Sequence, residues 1–170
     1  MSFNLSLCLG AAYQHAIVRN RSMPWEITII DGPSPNDSIL GPRDNVISRL
    51  SAALPGATLE QPPAIPNEFL AQMPESVRDV MNRPRLEGSF EHPDFSISLY
   101  CSADPAIRCI NGEVRGNGDP LAALKHLCDD TGWSVYDCSE ERVVDFSDLD
   151  SNGWDAFCQW RSRVLAERDN

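Results

Sequence analysis

The sequence predicts an α+β fold, a single domain over residues 1–170 with a mostly antiparallel sheet and helices packed on one face. Three observations carry that reading. Phe95, Ile97, Leu99 and Cys101 alternate with Ser96, Ser98 and Tyr100, the period of two that marks a strand with one buried face. Leu121, Leu124, Leu127 and Cys128 recur at helical spacing behind Asn117-Gly118-Asp119-Pro120. Strands come in local runs with helices between the groups, which favours segregated layers over a doubly wound parallel sheet.

In chain order, Phe3, Leu5, Leu7 and Leu9 alternate with polar residues as a half-buried strand does, and residues 11–21 offer a further strand. Trp25 to Ile30 is extended and ends at the turn signal Asp31-Gly32-Pro33. Pro42 opens a helix with Val46, Ile47, Leu50 and Leu54 along one face, and Pro55-Gly56 stops it. A less regular Pro-rich segment covers about 55–66. Two short helices follow, one around 67–72 and one from Pro74 with Val77, Val80 and Met81 on one side, ended by Pro84. After the 95–101 strand, a second one covers about 106–115. In the next helix Asp119 suits the free amides of the first turn, Pro120 the first helical position and Gly132 a left-handed stop. Trp133 to Tyr136 returns as a strand with 143–146 as hairpin partner, and a last helix runs from about Trp154 to Ala166.

Charge narrows the function classes. Fourteen Lys and Arg against 25 Asp and Glu give a net charge of −11. A field of that sign repels phosphate backbones and anionic lipids and attracts basic proteins, so the expected partner is a protein, with neither nucleic acid nor membrane. No CxxC pair occurs among the six cysteines, and the first residues have neither a basic region nor a long apolar run. The expected compartment is the cytoplasm, with reduced thiols acting as small core hydrophobes. No cofactor is expected.

The candidate sites follow from the same charges. Nine acidic residues lie between Asp129 and Asp155 against Arg142 alone. Asp129 and Asp130 stand at a helix carboxyl end, where the macrodipole disfavours anions. The expected docking surface for a basic protein comprises Asp129, Asp130, Asp137, Glu140 and Glu141, joined to the last helix through Trp160 and Arg161, residue types that dominate binding hot spots. Asp148-Leu149-Asp150-Ser151-Asn152-Gly153 matches the first half of a calcium loop, so Asp148, Asp150 and Asn152 are candidate metal ligands. The closing position carries Gln159, which supplies one oxygen and no charge; the alternative is a polar loop capping the last helix. For catalysis, His126 and Cys128 diverge on their helix and cannot form a dyad. A pair such as Glu113 with Asp119 offers acid–base chemistry, so an enzyme of unmarked class is the other alternative.

Glu113-Val114-Arg115-Gly116-Asn117-Gly118-Asp119-Pro120, then Thr131-Gly132-Trp133, Gly153-Trp154-Asp155-Ala156-Phe157 and Trp160-Arg161 form a recognisable cadence. Over roughly residues 87–165 this resembles small bacterial immunity proteins encoded beside secreted antibacterial toxins. The resemblance implies a stoichiometric inhibitor of a cytoplasm-acting toxin and transfers no binding residue to a numbered position.

Overall fold

A computed structural model of the chain describes residues 24–81, 83–147, 153–155, 157–159 and 162. The strands expected at 2–9 and 11–21 lie outside these residues. Six strands form one sheet: β1 (Trp25–Ile30), β3 (Arg85–Glu91), β4 (Phe95–Ser102), β6 (Ile110–Gly116), β7 (Ser134–Asp137) and β8 (Arg142–Val143). Their order is β3-β4-β6-β1-β7-β8, every pairing antiparallel. A two-stranded sheet pairs β2 (Gly41–Pro42) with β5 (Ala106–Ile107). The fold class is α+β, as the periodicities indicated.

One face of the large sheet is apolar because its strands alternate in phase. Trp25, Ile27 and Ile29 of β1 stand opposite Val114, Gly112 and Ile110 of β6. Ile97 and Leu99 of β4 continue the rows, and Val135 of β7 closes them beside Ile29. Two helices cover this face. α1 (Arg43–Ala53) contributes Val46, Leu50 and Ala53, and α4 (Leu121–Thr131) contributes Leu121, Leu124 and Leu127. All belong to one cluster of buried residues, and burying each such side chain stabilises by about 1.5–3 kcal/mol. Trp154 and Phe157, in the helical residues that follow 152, pack into the same cluster, Trp154 against Trp25 with ring centroids 5.5 Å apart.

The helix ends are chemically specified. Asp119 Oδ1 accepts from the Leu121 amide at 2.8 Å, and Pro120 takes helical angles at the first position. Gly132 ends α4 in the left-handed conformation, φ 71°. Arg49 of α1 donates to the Thr131 carbonyl and lies over the Trp133 ring, 4.6 Å from its centroid, which ties the two helices together.

The structure departs from the expectations in several places, among them the hairpin strand expected at 143–146, which is the shorter β8 at Arg142–Val143. Residues 85–91, not read as a strand, form the sheet edge β3. The 106–115 strand is two elements, because Ala106–Ile107 turns away to pair with Gly41–Pro42 before the chain enters β6. Of the short helices α2 (Asn67–Leu70) and α3 (Glu75–Met81), α3 buries no residue; Val77 and Val80 on its apolar side face solvent. The Pro-rich segment is ordered where Glu60 bridges Glu87, extending the β3 edge.

Candidate functional site

The second face of the sheet is mostly polar and is buried at its centre, where Thr28 and Ile30 of β1 are 4 % and 0 % exposed. Since Ile27 and Ile29 point into the core, Glu26 and Thr28 project from the other side, and the same parity sends out Asn111, Glu113 and Arg115 of β6 and Ser96, Ser98 and Tyr100 of β4. The helices α1 and α4 and the buried cluster lie on the opposite side. Register arranges the outward residues in rows. One row runs Glu87, Tyr100, Asn111, Thr28, Tyr136, Val143 across all six strands. The next runs Ser89, Ser98, Glu113, Glu26, and the Cys138 amide donates to the Glu26 carbonyl at its end.

Within the second row Glu26 of β1 stands directly opposite Glu113 of β6. Side chains opposed in this way have Cβ atoms roughly 4.5–5.5 Å apart, and like charges there are destabilising. Arg115 Nη2 donates to Glu113 Oε2 at 2.6 Å and neutralises one of the two. Glu26 is exposed and has no ion-pair partner among the described residues. Tyr100, 41 % exposed, is diagonal to Glu113. Burial first, then the charges of Glu113 and Glu26, raise its phenol above the ordinary value of 10.0, so the hydroxyl stays protonated. In the first row Thr28 Oγ1 donates to Asn111 Oδ1 at 3.3 Å and lies 3.4 Å from Cys138 Sγ. Among the described residues the face therefore combines the exposed Tyr100 with the exposed Glu26 carboxylate.

The acidic run singled out in the sequence is divided. Asp129 and Asp130 lie at the end of α4, paired one turn back with Lys125 and with His126, whose Nε2 is 3.6 Å from Asp130. Glu140 and Glu141 are exposed in the turn between β7 and β8. The four residues of β7 separate these two groups by roughly 13 Å of extended chain.

Asp137 corrects the expected docking surface. It is 1 % exposed, because two residues after Val135 it shares the inward face of β7. Its Oδ2 accepts from Trp25 Nε1 at 2.9 Å, and its Oδ1 accepts from the Ser139 amide at 2.8 Å, the Ser139 hydroxyl at 2.6 Å and the Glu140 amide at 3.1 Å. A carboxylate so enclosed organises the core and meets no partner. Trp160, Arg161, Asp148, Asp150 and Asn152 lie outside the described residues. Among the described residues no three His, Cys, Asp or Glu side chains gather as metal ligands.

Two further expectations change. Glu113 faces Glu26 on the sheet, while Asp119 is engaged as the cap of α4. Of the thiols, Cys101 is a core residue and Cys128 and Cys158 are half-buried against the core, as expected, but Cys109 is half-buried outside that cluster and Cys138 is exposed. Sequence reasoning missed Glu26 and Tyr100. The parity of Ile27 and Leu99 already placed both on an outer face; bringing Glu26 against Glu113 needed the pairing of strands 80 or more residues apart, which periodicity does not carry. No helix among the described residues is long and apolar enough to cross a membrane. No protein-family model, curated protein or solved structure matches the chain.

Proposed function

We propose that the chain is a stoichiometric protein-binding protein, an immunity protein that neutralises a bacterial toxin in the cytoplasm, and that it receives a basic surface of that toxin at the exposed glutamate and tyrosine on the polar face of its sheet. The supporting observation is the register of Glu26 against Glu113. Glu26 and Glu113 stand opposite each other, and the repulsion that the Arg115–Glu113 pair leaves uncompensated costs the isolated fold at most about 0.2–1 kcal/mol by the scale of cross-strand pairs. Residues that oppose local stability mark a use outside the fold. A cation brought by a partner removes the repulsion, so the pair is better suited to the complex than to the free chain. The net charge of −11 adds long-range steering, which raises the association rate with a basic protein and selects against acidic ones.

The test is affinity purification of the tagged chain from the cell that makes it, followed by mass spectrometry and measurement of stoichiometry. The expected result is a basic protein at one-to-one ratio, retained at low salt, lost from the Glu26→Gln/Glu113→Gln double variant and kept by the Glu140→Gln/Glu141→Gln control. Recovery of no protein, or of one indifferent to the sheet-face pair, rejects the proposal.

A further inference from the structure

We infer that α3 is the surface through which two copies of this chain associate, each laying its α3 antiparallel along the other's about a two-fold axis. α3 has seven residues and buries none of them, although Val77 and Val80 form an apolar stripe, 41 % and 57 % exposed. Phe69, in the preceding α2, is 45 % exposed as well. Three of the six exposed large apolar side chains among the described residues thus lie within 67–80. A helix of fewer than about 12 residues is marginal in water, and helices in proteins draw most of their stability from packing an apolar face. α3 buries no such face in its own chain. It is held by its end, where Arg85 Nη1 donates to the Met81 carbonyl at 3.0 Å. The stripe is left to pack against another molecule, and an apolar patch rimmed by charge marks a protein interface.

Charge selects the occupant. The chain carries −11 overall, but residues 73–84 hold two acids, Glu75 and Asp79, and two arginines, Arg78 and Arg83. A basic protein is drawn to the acidic remainder and gains nothing over this segment, whereas a second copy meets its least repulsion here. The four charges are also ordered to complement themselves. With Val77 of one copy against Val80 of the other, antiparallel helices bring Glu75 towards Arg83 and Arg78 towards Asp79, and the two-fold makes each contact twice. Among the described residues none of the four makes an ion pair, although Glu75 and Arg78 are three apart and Asp79 and Arg83 four apart, spacings that permit one. Arg78 Nε is shielded from water and has no hydrogen-bond acceptor. Its guanidinium lacks the carboxylate that normally accompanies a part-buried cation, and Asp79 of a second copy supplies one. The surface shares no residue with Glu26, Glu113 or Tyr100, so the association of copies and the proposed toxin site stand or fall separately.

Sedimentation velocity of the full chain from about 10 µM to 1 mM tests the inference, a range that suits an interface below the standard size. The expected result is a monomer–dimer equilibrium. Val77→Gln/Val80→Gln keeps good helix formers on α3 and should leave monomer at every concentration. Glu75→Arg should weaken the dimer roughly two- to fivefold, and Glu75→Arg/Arg83→Glu should restore it. Ile39→Gln removes a comparably exposed apolar side chain elsewhere and should change nothing. A parent chain that stays monomeric at the highest concentration overturns the inference. So does a dimer untouched by Val77→Gln/Val80→Gln, or one that Ile39→Gln dissociates equally. A dimer indifferent to Glu75→Arg overturns the antiparallel pairing.

Discussion

Trp25 and Asp137, 112 residues apart, are joined by a hydrogen bond of 2.9 Å from the indole Nε1 to the carboxylate Oδ2. The bond links the central strand β1 to the end of β7. The other carboxylate oxygen closes the turn that follows. Trp154 packs its ring at a tilt against Trp25, and a β-carbon at Gly153 would overlap Asp137 Oδ2, so the last helix begins directly against this carboxylate. Asp137→Ala leaves the indole and the turn amides without an acceptor in a dry site and should lower stability by about 2–4 kcal/mol. Asp137→Asn keeps one acceptor oxygen and should lose about half of that. Urea unfolding of the two variants measures both, and an alanine variant as stable as the parent would show that the carboxylate has no organising role.

Glu26→Gln removes one member of the opposed carboxylate pair without changing its volume. Because Arg115 already offsets part of the repulsion, the isolated chain should gain at most about 0.2–1 kcal/mol while partner binding weakens. Thermal unfolding at low salt gives the first quantity, and the gain should shrink as salt screens the repulsion. A loss of stability would mean that Glu26 supports the fold instead of opposing it.

Much of this architecture was legible in the residues, and the gaps have physical causes. Phe95 to Cys101 alternates cleanly because β4 has one face in the core and one in water. Asp119, Pro120 and Gly132 act at α4 as their backbone chemistry dictates. Asp137 was misplaced because its charge outweighed its parity with Val135; alternation alone puts it indoors, and Trp25 supplies the donor that makes burial tolerable. β3 was missed because Leu86 and Phe90 are separated by Gly88 and flanked by Glu87 and Glu91, a pattern with little apolar content. Its strand character comes from Thr58 to Glu60 on one side and β4 on the other. The pairing of Glu26 with Glu113 is a tertiary fact and had no local signature.

Thiol chemistry should separate by burial. Cys101 and Cys128 are pushed up to about 11, in both cases chiefly by burial, whereas Cys138 is exposed. At pH 8 Cys138 should react with iodoacetamide before Cys101 and Cys128, as peptide mapping by mass spectrometry will record. The same shifts act on stability. The unfolded thiols ionise near 9.0 and the folded ones near 11, so across that window the unfolded chain holds fewer protons. Stability is therefore unaffected by these groups below pH 9, falls as pH rises towards 11, and should decline less in a Cys101→Ala/Cys128→Ala variant. An identical alkaline decline in parent and variant would contradict the assignment.

Gly88 lies at the middle of the edge strand β3, and the Pro-rich segment passes directly over it. The Thr58 amide donates to the Ser89 carbonyl at 2.9 Å, the Glu60 amide to the Glu87 carbonyl at 2.9 Å, and the Glu87 amide returns to Glu60 at 2.8 Å. A β-carbon at Gly88 would overlap the Thr58 carbonyl oxygen, and that oxygen belongs to backbone that cannot rotate aside. Gly88→Ala must therefore either shift β3 or lift Thr58–Glu60 from it, at about 1–3 kcal/mol, the usual cost of overpacking. Lifting the segment frees the backbone groups of an edge strand, which promotes association between chains. Hydrogen exchange should then quicken at Thr58, Glu60 and Glu87 while the β1–β6 amides stay protected, and concentration-dependent scattering should rise. Unchanged exchange at all three amides would mean that the segment does not rest on β3 in solution, and the β3 edge of the sheet would need another cover.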